Sequence, residues 1–459
     1  MADSRPKLRE VAWGELFPWL MLVHAVRIAL TARVIFLGTL GLIATTAGWW
    51  MIGWIFSGSN NAAIDRWHAD AGNWVWQHLP AFFIDMSAND ADDIFVSSRD
   101  KLLQAPVDLW LYFTWPFRGL FSDVSALGFL YLLLCAVWAL LIWGLIGGAI
   151  TRIAALNFTR DETLGPVAAV RHAAGKLPSY SLPPLIALAG AAMFAIQLAV
   201  LGVLMRLDFF AVLAGLAWPF TLMLGLLMAI LLLGALIGWP LMWATISVEG
   251  TDAFDALSRS YAYTYQRPWR LLWYVLFAAL LAAISMFVVK MFAASAIALG
   301  DWSVDWGLDE ETMREVVRPV SAPADVESNL PRIGGLAANA DAAPAGVDVG
   351  GNVDEEAGRE VGLLRRGARR AIYFWKSLMA ALAAGYQAGF LWVSAVGVYL
   401  LLRRDIDGVQ TSEVYLDQDD SFGLPPLASD AVTGVPDVAP AEPARPGDAA
   451  NPDDLPRTD

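Results

Sequence analysis

Six stretches of this chain run for a membrane span's length or more with almost no charge, and charged or Pro/Gly/Ala-rich segments separate them. The hydrocarbon core of a bilayer takes about 20 residues of helix, and stretches 34–56, 126–150, 184–206, 209–248, 271–296 and 377–402 all meet that length. The fourth is too long for one straight crossing. Pro219 divides it into a short outer piece and a full span, because proline removes a backbone donor and crowds the preceding turn. The fifth carries Lys290 near one end, where its stem can lie in lipid and its ammonium can reach water. None of the six contains Asp or Glu. The pattern predicts an all-α integral membrane protein with six transmembrane helices, interfacial helices and disordered acidic segments.

The segments between the spans differ in character. Residues 1–33 read as an amphipathic N-terminal arm and 57–125 as an outer interfacial loop. Within that loop "APVDLWLYFTWPFRGLF" predicts a helix lying along the outer leaflet. Residues 249–270 read as an interfacial helix on the cytoplasmic side. Residues 297–376 form an outer loop whose Ala/Pro/Gly/Asp mixture buries too little apolar area to offset chain entropy, so most of it is predicted to be disordered. The tail, 403–459, is acidic and predicted to be disordered in the same way. Basic residues set the orientation. Arg5, Lys7, Arg9, Arg27 and Arg33 hold the N-terminus in the cytoplasm, and Arg152, Arg160, Arg171 and Lys176 do the same for the loop after the second span. Both termini are therefore expected inside the cytoplasmic (inner) membrane. "LLRRGARR", 363–370, runs against this scheme, but long loops obey the charge rule weakly.

Composition sharpens the picture. Hydrophobic residues make up 57% of the chain and charged residues 17%, a balance outside the soluble range. The 21 tryptophans suit a protein with extensive headgroup contact. A net charge of −14 argues against nucleic acid as a partner, leaving the lipid bilayer and other membrane proteins. One cysteine, Cys135, permits no internal disulfide, and four scattered histidines lack metal-ligand spacing. Walker, dinucleotide-binding and HExxH patterns are absent. No cofactor is expected, and no catalytic residue can be named. The first long apolar run starts too late for a cleaved leader, so the first span reads as an uncleaved anchor.

Two motifs stand out. In "VEGTDAFDALSRSYAYTYQRPWR", Thr251 reads as an N-cap, with Asp252 and Asp255 favourably placed in the first helical turn. Phe254, Leu257, Tyr261 and Tyr265 recur at helical spacing as an apolar stripe, while Asp255 and Arg259 are spaced to pair. Glu249, Asp252, Asp255, Arg259, Arg267 and Arg270 thus form a candidate interfacial motif. A proton or cation relay through the three acids is the rival reading, but relay acids normally sit inside a span. The second motif is a pair of small-residue repeats. Gly144 and Gly148 end the second span, and Gly234 and Gly238 lie late in the fourth; each pair precedes an acid-bearing loop, a short Ala-rich helix, a proline and a new span. Such spacing lets helices approach closely, and the order suggests parallel repeats about the membrane normal. Gln197 and Gln387 read as interhelical hydrogen-bonding residues.

The segments "VEGTDAFDALSRSYAYTYQRPWRLLWY" and "VYLLLRRDIDGVQTSEVYL" resemble phrases found after the fourth and last spans in a family of bacterial multi-pass membrane proteins. More distantly, the Leu-Ser-Arg-Ser/aromatic-basic pattern looks like the membrane region attached to some glycerophosphodiester phosphodiesterases. The resemblance implies location and topology. It brings no catalytic residue, because the chain offers no soluble domain patterned for phosphodiesterase chemistry. The expectation is a non-enzymatic membrane component, permease-like or scaffolding, with an ion-coupled secondary transporter of a small or lipidic substrate as the alternative.

Overall fold

The structure is a computed structural model. It describes residues 17–56, 104–122, 125–309, 312–317, 355–411 and 413–415, together with positions 58, 61 and 64. Every regular element among them is helical. In chain order, after a short 3-10 turn at Pro18–Leu20, these are α1 Met21–Ala29, α2 Ala32–Phe56, α3 Gln104–Gly119, α4 Ala126–Arg160, α5 Pro166–Gly175 and α6 Leu177–Leu204. Then follow α7 Asp208–Leu216, α8 Trp218–Glu249, α9 Ala253–Gln266, α10 Pro268–Asp305 and α11 Glu355–Asp407. Six of these are long and apolar enough to cross a membrane: α2, α4, α6, α8, α10 and α11 from Gly367. The chain is an all-α membrane protein.

Sequence explains the element ends. Ser125 caps α4 by accepting from Gly128 N at 3.1 Å, which satisfies one of the four donors a helix start leaves orphaned. Proline opens α5 and α10, where its missing N–H costs nothing. The break between α7 and α8 falls at Ala217, two residues before Pro219, as the interrupted apolar run suggests. Gly250 ends α8 in the left-handed conformation (φ 68°), which L side chains rarely adopt.

α2, α4 and α11 form the centre. α2 runs antiparallel to α4: Trp138 Nε1 donates to Ala44 O at 3.0 Å, and Trp49 Nε1 donates to Cys135 O at 3.0 Å. α2 also crosses α11 at backbone contact. A Cβ on Gly38 would lie 2.2 Å from Gly385 O, and one on Gly385 would lie 2.0 Å from Thr39 Oγ1. With Gly389 set against Val34, this is the small-xxx-small packing that lets membrane helices touch without side chains between them. α6 and α8 pair as a hairpin whose outer part is largely exposed, Val212 being 77% and Leu216 85% accessible at its tip.

Several expectations change. The second span does not stop at 150, because α4 continues to Arg160 and stays buried through Leu156. The fifth is longer than 271–296, so Lys290 falls within a 38-residue helix and not near its end. The 297–376 loop is helical at both margins, and Lys376 joins them by donating to Asp301 Oδ2 at 2.7 Å and to Val317 O at 3.0 Å. The 1–33 arm contains α1, which is docked: Leu22 is buried and abuts the site of Gly397 in α11. The expected outer-leaflet helix is α3, but its middle is inserted among the spans. Phe113, 2% exposed, packs edge-on to Trp143 at 4.6 Å and to Trp392 at 5.8 Å. The central part of the 297–376 loop and the tail beyond 415 lie outside the described residues.

Candidate functional site

Many polar groups converge at the end of α8. A helix leaves its last carbonyls without intrahelical donors, and its negative dipole end favours cations there. Here both needs are met by other elements. Arg152, 3% exposed on α4, donates to Ser247 O at 2.8 Å and to Tyr415 O at 2.9 Å. Lys176, just before α6, donates to Gly250 O at 2.8 Å and lies 4.5 Å above the Tyr415 ring. Tyr415 N donates to Val248 O at 2.7 Å. Ser247 Oγ bonds Thr151 Oγ1 at 2.6 Å and Tyr180 Oη at 2.8 Å, and Trp243 Nε1 donates to Tyr180 O at 2.7 Å. Three separate parts of the chain are thereby tied to one helix end.

Glu249, the last residue of α8, extends this hub. Its side chain is 8% exposed and accepts from Tyr399 Oη at 2.5 Å. Arg403 Nε lies 3.1 Å from Oε1, close enough for ion pairing though not aligned as a hydrogen bond, and Arg259 Nη1 lies 2.5 Å from Oε2. A buried carboxylate costs free energy unless it is paired and hydrogen-bonded, and this one is both. Asp405 pairs with Arg270 at 2.8 Å and accepts from Tyr274 at 2.8 Å. Asp407 accepts from Tyr263. Acids in the last turn of α11 oppose that helix's dipole, and these partners offset the opposition.

The electrostatics follow from the packing. The Tyr263 phenol is held well above its ordinary range, first by burial and then by the bond to Asp407 and the charges of Asp407 and Glu249. Tyr261 is pushed up to about 12, mainly by burial. Partial burial works against the charge of Arg259, but the Glu249 carboxylate and the Tyr399 and Tyr263 rings outweigh it and raise the value.

Of the six residues in the candidate interfacial motif, three enter the hub: Glu249, Arg259 and Arg270. Asp252, Asp255 and Arg267 are exposed. Thr251 is not the cap; Asp252 is, accepting from Asp255 N at 3.0 Å. Arg259 turns to Glu249 and not to Asp255, since the more buried carboxylate gains more from a counter-charge. The stripe is rotated as well. Phe254 is 69% exposed, and the buried face is Ala253, Ala256, Ser260, Tyr263 and Thr264. The repeat glycines are contact points: Gly144 and Gly148 receive Leu177, Tyr180 and Ser181 of α6, whereas Gly234 and Gly238 receive Tyr261 and Ser260 of α9. The two units share element order but not the helix that fills the glycine gap. Arg152, Lys176, Tyr399, Arg403, Asp405, Asp407 and Tyr415 were missing from the motif. The expected 403–459 disordered tail begins too early, because α11 runs to Asp407 and Tyr415 is docked at the hub.

Two further features flank the hub. Trp143, Trp239, Trp243 and Trp392 form an aromatic cluster, with Trp243 and Trp392 stacked at 4.4 Å. Beside it, a lateral cleft of about 250 Å³ opens between α3 and the α6–α8 hairpin, walled by Phe117, Phe121, Pro184, Leu188, Leu232 and Leu236. Among the described residues, no group of three or more His, Cys, Asp or Glu side chains is arranged to hold a metal ion. Comparison with protein-family models, with curated proteins and with solved structures finds no match to this chain.

Proposed function

We propose that this chain is a non-enzymatic multi-pass component of the cytoplasmic membrane, permease-like or scaffolding, that handles a lipidic or hydrophobic partner. The observation that carries the reading is the apolar lateral cleft between α3 and the α6–α8 hairpin, set beside a bundle centre filled by aromatic rings. The basic residues Arg33, Arg152, Arg160, Lys176 and Arg259 gather toward the hub end, which favours that end and both termini for the cytoplasm. Glu249 is engaged by two arginines and a phenol. A carboxylate so held is a structural tie, so the scaffold reading stands ahead of the ion-coupled transporter.

Affinity purification from membranes, with Ser260→Leu and Tyr261→Ala to loosen α9 from α8, tests this. Co-purification of a defined membrane-protein or lipid partner that weakens in those variants while insertion persists supports the proposal. Hydrolytic turnover by the pure protein, or solute uptake driven by a proton gradient, would refute it.

A further inference from the structure

The cleft walls present almost nothing but hydrocarbon, and the charged side chain among them points to an occupant. Thr114 turns its hydroxyl back to Trp110 O at 2.8 Å and so offers the cleft no free donor. Arg118, exposed at the outer part of α3, is the charged residue of the lining; one of its amino groups reaches Leu111 O at 2.9 Å, and its remaining N–H groups can serve another acceptor. Arg118 stands next to Gly119, whose α-carbon faces Leu132 in the second turn of α4, well toward the end opposite the hub. Trp239, 6% exposed, also lines the cleft and packs edge-on to Phe117 at 6.5 Å.

We propose that this cleft binds one acyl chain of a membrane phospholipid, with the lipid phosphate at Arg118. The inference rests on the reading of a protein that handles a lipidic partner, and it names that partner's chemistry. Guanidinium and phosphate form strong, paired, charge-assisted hydrogen bonds. A volume of about 250 Å³ is near the lower bound of small-molecule pockets, about 300 Å³, which suits a single hydrocarbon chain and not a whole lipid body. The cleft borders α6 and α8, which are long and apolar enough to cross a membrane, so a lipid can reach it from the bilayer. Phe117 and Phe121 on one wall and Leu188, Leu232 and Leu236 on the other supply the apolar contact.

The test is lipid retention by the full chain. The protein is purified in detergent, stripped by extended washing, returned to nanodiscs of phosphatidylglycerol and phosphatidylethanolamine, and re-extracted for native mass spectrometry. The wild type is expected to keep one phospholipid per chain. Arg118→Gln removes the cation, and Ala235→Phe fills the cleft while keeping it; each is expected to reduce the retained fraction about tenfold. Unchanged helicity and melting temperature in each variant show that the fold is intact, and Ala235→Phe decides the matter if Arg118→Gln does not fold. Equal retention in wild type and an intact variant overturns the site, as does a wild type that keeps none. Retention of a phosphate-free hydrophobic molecule instead overturns the phospholipid assignment and leaves the broader functional reading standing.

Discussion

Tyr399 on α11 donates its phenolic hydrogen to Glu249 at the end of α8 across 2.5 Å, and by that contact joins residues 150 positions apart. The bond sits in a buried ionic cluster and not on a wet surface, and its consequences are measurable. Replacing Glu249 by Ala leaves Arg403, whose side chain is 11% exposed, without its counter-charge. Breaking a buried pair from one side costs about 3–5 kcal/mol. The unfolding midpoint of Glu249→Ala in detergent should fall accordingly, that of Glu249→Gln less, and that of Arg259→Ala by about 1 kcal/mol or below, since Arg259 is 43% exposed.

The α2–α11 crossing gives a sharper steric test. A Cβ at Gly385 meets backbone at 2.6 Å and 2.7 Å as well as Thr39 Oγ1, so no flexible side chain can move aside to relieve it. Gly385→Ala should destabilise the protein by about 1–3 kcal/mol, the range for overpacking. Gly202→Ala, where an added methyl meets nothing within 4 Å, should be neutral or slightly stabilising. Paired thermal melts check the contrast.

Gly250 and Tyr415 are expected to be coupled. Alanine at Gly250 suffers twice: its φ of 68° is unfavourable for an L residue, and its Cβ would stand 2.4 Å from the Tyr415 ring. The conformational part costs about 1–2 kcal/mol. In a Tyr415→Ala background only that part should remain. A double-mutant cycle with no coupling energy beyond about 0.5 kcal/mol would contradict the docking of residues 413–415 on the α8 end.

The Tyr263–Asp407 bond makes a pH prediction. The folded phenol holds its proton above the ordinary value of about 10. A group whose folded value is raised contributes stability that is whole below its unfolded value and is lost as pH climbs through the folded one. Stability should therefore be indifferent to this group below about pH 10 and should decline above it. Tyr263→Phe should remove part of that alkaline decline, read from melting curves alongside tyrosinate absorbance.

How much of this the sequence contained depends on range. The spans and the α7–α8 break were legible because hydropathy and proline act locally. Gly385 and Gly389 stand in "AAGYQAGF" with the same small-xxx-small spacing as the repeat glycines. Arg152 was read as a loop charge, although Ile150, Ile153 and Ala154 around it mark a helix that continues into buried surroundings. The hub itself was not legible as a unit. Much of it comes from residues 248–274 and 398–416, and nothing local says that Glu249 faces Tyr399 and Arg403, or that Asp405 faces Arg270. The partner of Arg259 shows the reason. Spacing nominated Asp255, whereas burial, which only the fold decides, selected Glu249.

The central claim is that the polar hub is a closed structural tie and the bundle centre a packed aromatic interior, so that the chain handles a hydrophobic partner and does not conduct or pump ions. Flux through proteoliposomes containing the full chain, under an imposed proton gradient, tests it most directly. Proton and sodium leak should equal that of empty liposomes in wild type and in Glu249→Gln. A gradient-driven flux present in wild type and abolished by Glu249→Gln would contradict the account.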